Sequence, residues 1–236
     1  MQPYKGRVLV AGATGRTGAE IVHRLSHYGI DFRLFVRSTK KAITLFGADA
    51  AGILRVGSIQ DEAETRDALH GIDAVICAVG SNPADPDSPP PSAIDRDGIQ
   101  QLGVLAKESG AKHFILISSL GATKEDHPLN KYGKVLSMKL EGENTIRTLF
   151  SSPEYSHTIL RPGGLLDTPP FRHSLVFSTG DTITGSVSRG DAAETAVLSL
   201  TQNEARNTTF ELVQGDEEAQ PSLSKFFSQI RQKKQI

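Results

Sequence analysis

An apolar run that breaks into three evenly spaced glycines, VLVAGATGRTG from Val8 to Gly18, constrains this chain more than any other stretch. A β-type run that ends in such glycines and passes straight into a helical pattern folds as strand, tight turn and helix. Gly12 and Gly15 let the backbone turn and approach a ligand with no Cβ in the way, and Gly18 lets the helix pack close to the strand. The start of that helix offers free N–H groups to an anion, the arrangement that receives the pyrophosphate of a dinucleotide. The plainer reading, a tight turn without a ligand, loses ground as the rest of the chain is added.

Beyond the turn, short β-branched runs alternate with longer amphipathic segments, the pattern of parallel strands joined by crossover helices. Strands are predicted at Arg7–Ala11, Phe32–Arg37, Ile53–Val56, Ala74–Val79, His113–Ser118, Thr158–Arg161 and Thr209–Val213. Helices are predicted at Thr17–Tyr28, Glu62–Leu69, Ile99–Ser109, Lys134–Leu149, Asp191–Leu200 and Leu223–Arg231. The fold class this implies is α/β: a doubly wound parallel sheet, the Rossmann arrangement, in the order 3-2-1-4-5-6 with the last strand added, and its ligand crevice at the strands' carboxyl ends. At 236 residues it is expected to form one domain spanning 1–236, with residues 163–190 and 203–236 contributing a small substrate or lid region.

A formal net charge of -1 gives no sign of a polyanion binder, so small-molecule partners are expected and nucleic acid is not. Cys77, the sole cysteine, excludes an internal disulfide and sits in the apolar run AVICAVG, where it reads as core. The seven histidines show no compact ligand spacing, so no metal is expected. No stretch approaches the roughly 20 apolar residues that span a bilayer, and the N-terminus opens directly onto a strand. A cytoplasmic monomer or weak homodimer is the resulting expectation.

One segment breaks the rhythm. Ser81 to Asp95, SNPADPDSPPPSAID, is rich in proline and acid and is expected to be neither helix nor central strand. It leaves the carboxyl end of the fourth strand, where it reads either as a lid over a ligand or as a plain solvated loop. Cofactor choice turns on the end of the second strand. An NAD site places an acid there for the ribose hydroxyls, whereas this chain has Val36-Arg37-Ser38. Arg37 would pair with a 2′-phosphate, Ser38 would add a hydroxyl, and Arg16, Lys40 and Lys41 would add positive potential. NADP(H) is therefore favoured over NAD(H), against the alternative of a solvated basic face.

Several ordered motifs now resemble one family. AGATGRTG (Ala11–Gly18), FVRS (Phe35–Ser38), GIDAVICAVG (Gly71–Gly80), AKHFILISSLGA (Ala111–Ala122), KLEGENTIR (Lys139–Arg147), HTILRPGGL (His157–Leu165), SVSRGDAAE (Ser186–Glu194) and TTFELV (Thr208–Val213) are similar to the atypical short-chain dehydrogenases. They most resemble the compact NAD(P)-binding group that includes NmrA-like proteins and the flavin/biliverdin reductase. The resemblance covers nearly the whole chain. It implies that Gly12, Thr14, Gly15, Arg16, Thr17 and Gly18 form the phosphate turn, that Ser58 and Ile59 lie near the adenine, and that Ala78, Val79 and Gly80 line the path toward the nicotinamide. It further implies that Lys139 bonds the nicotinamide ribose, that Pro162, Gly163, Gly164 and Leu165 receive the carboxamide, and that Ser119 polarises a substrate carbonyl, with Ser118 beside it as a packing residue or cofactor contact.

The chain departs from the family's pattern at the proton donor. A tyrosine is expected four residues before the lysine, and that position holds Val135. Tyr132, seven before Lys139, is expected to share its helical face but to sit roughly 10 Å along the axis. Two functions remain. One is hydride transfer from NADPH to a flavin-, quinone- or enone-like acceptor, which needs no tyrosine acid; the other is a non-catalytic NAD(P)H-binding redox sensor or assembly protein. His127 and His173 are alternative proton donors or surface residues, and Phe171 with Leu165 and Leu166 forms either an apolar substrate wall or ordinary packing.

Overall fold

In the computed structural model, which describes residues 4–82, 85 and 88–216, the most apolar runs are the strands at the middle of an eight-stranded sheet. Strands β1 (Val8–Ala11), β2 (Phe32–Val36), β3 (Leu54–Val56), β4 (Ala74–Cys77), β5 (His113–Ile117) and β6 (Ser156–Pro162) are all parallel to their neighbours. A short pair, β7 (Gly164–Leu166) and β9 (Ser186–Ser188), stands apart as a two-stranded parallel sheet. The edge strand β8 (Leu175–Ser178) runs antiparallel to β10 (Thr208–Gln214), which is itself parallel to β6. The order is β3-β2-β1-β4-β5-β6-β10-β8, so the chain reverses its direction of travel between β1 and β4. Every residue of β1, β4 and β5 is buried, as strands covered on both faces require.

Helices cover both faces because side chains alternate along each strand. Val8 and Val10 join a core with Ile21, Val22 and Leu25 of α1 (Arg16–His27) and with Ala192, Ala193 and Ala196 of α6 (Arg189–Leu198). Leu9 and Ala11 join the opposite core with Leu69 of α3 (Glu62–Leu69), Leu102 and Leu105 of α4 (Ile99–Glu108) and Ile146 of α5 (Val135–Leu149). Each fully buried leucine or isoleucine here contributes about 1.5 to 3 kcal/mol relative to exposure. Cys77 lies in this second core, and burial pushes its thiol pKa up to about 12, so it is a packing residue.

The expected order of the first six strands and the added strand is what the sheet shows, and four expectations need correction. First, the segment 81–95 is not free of helix: Ser92–Gly98 forms a π-helical turn that runs into α4. Pro91 caps that turn, where its missing N–H is no loss. Second, the sheet is not wholly parallel, since β8, from the region assigned to a substrate lobe, closes one edge antiparallel. Third, a helix α2 (Thr39–Phe46) follows β2 where none is expected. Fourth, α5 begins at Val135, so Tyr132 precedes the helix, 45% exposed, and shares no face with Lys139. The expected closing helix, Leu223–Arg231, lies outside the described residues.

Candidate functional site

Two clefts open along the carboxyl ends of the strands. The first, about 310 Å³, runs from the glycine turn to the ends of β2 and β3 and is lined by Gly12, Thr14, Gly15, Arg37, Lys41, Ser58, Ile59, Ala78, Val79 and Gly80. The second, about 670 Å³, is lined by Arg16, Thr17, Ser118, Ser119, His127, Pro162, Gly163, Gly164, Leu165 and Arg189. Gly15, Ala78 and Gly80 line both. The structure therefore brings most of the residues anticipated for a dinucleotide to the walls of two adjoining clefts, although Lys139 lines neither of them.

The glycine turn is shaped as its sequence requires. Gly12 adopts φ +80°, and a Cβ there would lie 3.0 Å from the Ala78 carbonyl carbon and oxygen. A Cβ on Gly18 would fall 2.1 Å from the Gly12 carbonyl oxygen, so any side chain would push α1 off the turn. Gly18 acts through this contact and does not line either cleft. No side chain caps the N-terminus of α1 and its first turn holds no acid, whereas α2, α3 and α6 are capped by Ser38, Asp61 and Ser188. An uncapped, positively polarised helix end beside a Cβ-free cradle fits a dinucleotide's phosphates.

Arg37 and Lys41 share the lining of the first cleft with Ser58 and Ile59, and Asp85 lines the same cleft. The Ser58 turn is held firmly: its N–H donates to Glu64 at 2.9 Å and its carbonyl accepts from the Thr65 hydroxyl at 3.1 Å. Ser38 lies outside the cleft lining, its hydroxyl oxygen accepting from the Lys41 N–H at 3.2 Å. Arg16 leans across the second cleft to Asp167 at 3.0 Å, and Arg189 meets the same carboxylate at 2.8 Å.

The end of the second cleft expected to receive a nicotinamide is crowded. The N–H groups of Gly163 and Gly164 already donate to the carbonyls of Leu212 and Gly185, which narrows what this turn offers a ligand toward its carbonyl oxygens. Ser119 lines the cleft and donates to the Leu120 carbonyl at 3.1 Å. Ser118 instead donates to Glu143, a fully buried carboxylate on α5 that also accepts from Arg147 and, at 2.6 and 3.0 Å, from Arg161. Arg161 approaches Asp181 at 3.9 Å. Burial alone would raise the Asp181 carboxyl, but the N–H groups of Thr123 and Gly121, the Thr123 hydroxyl and the Arg161 charge hold it below its ordinary value. Lys139 donates to Asp95 at 2.7 Å and borders a small hollow between Ser118 and Val79.

Sequence reasoning did not anticipate Asp95, Glu143, Arg161 or Asp181. No local signal marks Asp95, since Ile94 and Ile99 are five residues apart, off the spacing of three or four that one α-helical face requires. His127 lines the second cleft and His173 does not. Of the supposed apolar wall only Leu165 lines it; Phe171 lies under the Arg24 guanidinium at 5.1 Å, on the α1 side.

Among the described residues no group of three or more His, Cys, Asp or Glu could hold a metal, and no helix is long and apolar enough to cross a membrane. Comparison with known proteins agrees with the geometry. A family model described as NAD(P)H-binding matches residues 12–203. An uncharacterized chloroplastic protein of Arabidopsis thaliana is 33% identical over 95% of this chain and 82% of its own length. A sanguinarine reductase of Eschscholzia californica is 27% identical over 94% of this chain and 95% of its own. A solved structure, a putative NAD-dependent epimerase/dehydratase from Bacillus halodurans, superposes with a TM-score of 0.80 at 27% identity, covering 95% of this chain and 99% of that one. The matched span takes in the glycine turn and the residues that line both clefts, and the chain belongs to the NAD(P)H-binding family.

Proposed function

We propose that this protein is an NADP(H)-dependent oxidoreductase that transfers hydride to a flavin-, quinone- or enone-like acceptor without a tyrosine acid. The observation that carries this reading is the junction of the two clefts at Gly15, Ala78 and Gly80, which sets a dinucleotide channel end-on to a second, larger cavity. Arg37 and Lys41 supply cationic donors where a 2′-phosphate would lie, and β2 ends without the acid that ribose hydroxyls would call for.

When bound, NADPH supplies the hydride. The chain's residues then have three tasks. The N–H groups at the start of α1 would hold the pyrophosphate, Lys139, whose ammonium lies beside Gly80, would hydrogen-bond the ribose, and Ser119 with His127 would border the acceptor. An acceptor that takes its proton from water removes the need for the missing tyrosine. The sanguinarine reductase among the relatives is in keeping with a reductase role. The second reading, a dinucleotide sensor without turnover, is favoured by one observation: buried Val135 stands where the acid is expected and Tyr132 lies outside the helix.

Isothermal titration with NADPH and NADH, followed by stopped-flow mixing of bound NADPH with flavin and quinone panels, separates the two. Tighter NADPH binding and rapid oxidation by at least one acceptor are expected. Tight NADPH binding with no oxidation by any acceptor would leave the sensor; equal affinity for both cofactors would reject the NADP(H) assignment.

A further inference from the structure

Asp95 is a carboxylate only 2% exposed, on the π-helical turn that leads into α4. One oxygen accepts from the Ser81 N–H at 3.2 Å and from the Ser81 hydroxyl at 2.5 Å; the other accepts from the Lys139 ammonium at 2.7 Å. Backbone contact fixes this pairing. A Cβ on Gly142, three residues after Lys139 on α5, would lie 2.3 Å from the Asp95 carbonyl oxygen, so the helix and the π-turn touch only because that side chain is missing. On its other side the ammonium faces Gly80, whose added Cβ would stand 3.2 Å from it. Gly80 lines both clefts, which places the ion pair directly beneath their junction.

Charge at that junction discriminates between the two redox forms of a nicotinamide. The ring is neutral when reduced and carries a positive charge when oxidised. A lysine alone beside it would repel the oxidised form and leave the reduced form almost untouched. A carboxylate 2.7 Å from the ammonium cancels most of that repulsion while the ammonium keeps donors for a ribose. We propose that Asp95 sets the redox balance of the bound cofactor: by neutralising Lys139 at the cleft junction it lets the protein hold NADP⁺ nearly as well as NADPH. The proposal rests on the reading that these clefts bind NADP(H), and it applies whether or not the protein turns over.

A merely structural Asp95 would treat both cofactor forms alike, and equilibrium binding reads the difference. Dissociation constants for NADP⁺ and NADPH are measured by titration on the full chain, for wild type, Asp95→Asn, Lys139→Gln and the double variant. In Asp95→Asn the NADP⁺ constant is expected to rise about tenfold more than the NADPH constant, as an uncompensated charge a few ångströms away implies. Lys139→Gln shifts the ratio the opposite way, toward NADP⁺, and the double variant returns it to about the wild-type value even though both forms bind less tightly. Equal weakening of both forms in Asp95→Asn overturns the proposal, as does a double variant that keeps the single variant's ratio. Should Asp95→Asn fail to fold, Lys139→Gln tests the same charge alone, and an unchanged ratio there overturns it. Wild-type protein that binds neither form overturns the underlying cofactor reading, an outcome distinct from normal binding with an unmoved ratio.

Discussion

Two buried carboxylates meet α5 one turn apart, and they are used differently. Glu143 is completely enclosed and receives Arg161, Arg147 and Ser118; these partners tie β5, β6 and α5 together. Asp95 is just as enclosed, yet its cationic partner Lys139 reaches the wall of an open channel. Burial therefore does not distinguish the two acids; what does is where the cationic partner lies, since Arg161 and Arg147 line neither cleft whereas the Lys139 ammonium faces Gly80, which lines both. Polar groups closed within the core should move stability and leave binding specificity alone, and polar groups on the channel should do the reverse.

The severest test of that division is Glu143→Gln. It leaves Arg161 buried beside a neutral amide, and the expected loss is about 3 to 5 kcal/mol of stability. Thermal unfolding should shift down by about 10 °C, with the NADP⁺ to NADPH affinity ratio unmoved in whatever protein remains folded. A changed ratio would break the comparison.

Arg37→Ala tests the open side. Loss of a charge-assisted pair with a 2′-phosphate is expected to weaken NADPH by roughly 1.5 to 3 kcal/mol and NADH hardly at all. Titration calorimetry with both cofactors checks this, and equal losses for the two would mean that the substitution acts on the fold.

His113 sharpens the closed side through pH. Burial on β5 lowers its pKa to about 3, its ring nitrogen Nε2 lying 3.0 Å from the Thr158 hydroxyl. In the unfolded chain the group titrates near its ordinary 6.5. Between those values the unfolded state binds the extra proton, so the stabilising contribution is complete above about pH 6.5 and is lost on acidification at ~1.4 kcal/mol per pH unit. Urea unfolding at pH 7.5, 6.5 and 5.5 should show that slope in the wild type and a shallower one in His113→Asn. Identical slopes would refute the assignment.

The smallest effect is expected at Tyr132, which is exposed and lies ahead of α5. Tyr132→Phe should leave single-turnover oxidation of bound NADPH within a few-fold of wild type. A loss of about a hundredfold or more, the scale of a removed general acid, would return Tyr132 to the reaction.

What could be read from the sequence was local. The glycine turn, Arg37 and the fully buried runs of β1, β4 and β5 declare themselves within a few consecutive residues. Helix α2 is missed because it spans only eight residues and its apolar positions, Ala42, Ile43, Leu45 and Phe46, fall within little more than one turn. The π-turn was missed because three prolines precede it, and proline excludes a helix interior but not a helix start. Strand β8 is four residues long and has no fully buried position, which leaves no alternation to detect. The polar pairs of the site were beyond local reading altogether. Asp95 and Lys139 are 44 residues apart, Glu143 and Arg161 18, and only the packing of α5 against the sheet and the π-turn brings them together.

The shared wall at Gly15, Ala78 and Gly80 also dictates a sequence of events. Whatever fills the channel becomes part of the floor of the cavity beyond it, so an acceptor meets a complete pocket only once the dinucleotide is seated. On the proposed reading, turnover is expected to be compulsory-ordered, with the nucleotide first to arrive and last to leave; NADP⁺ should then compete with NADPH and not with the acceptor, which product-inhibition kinetics checks.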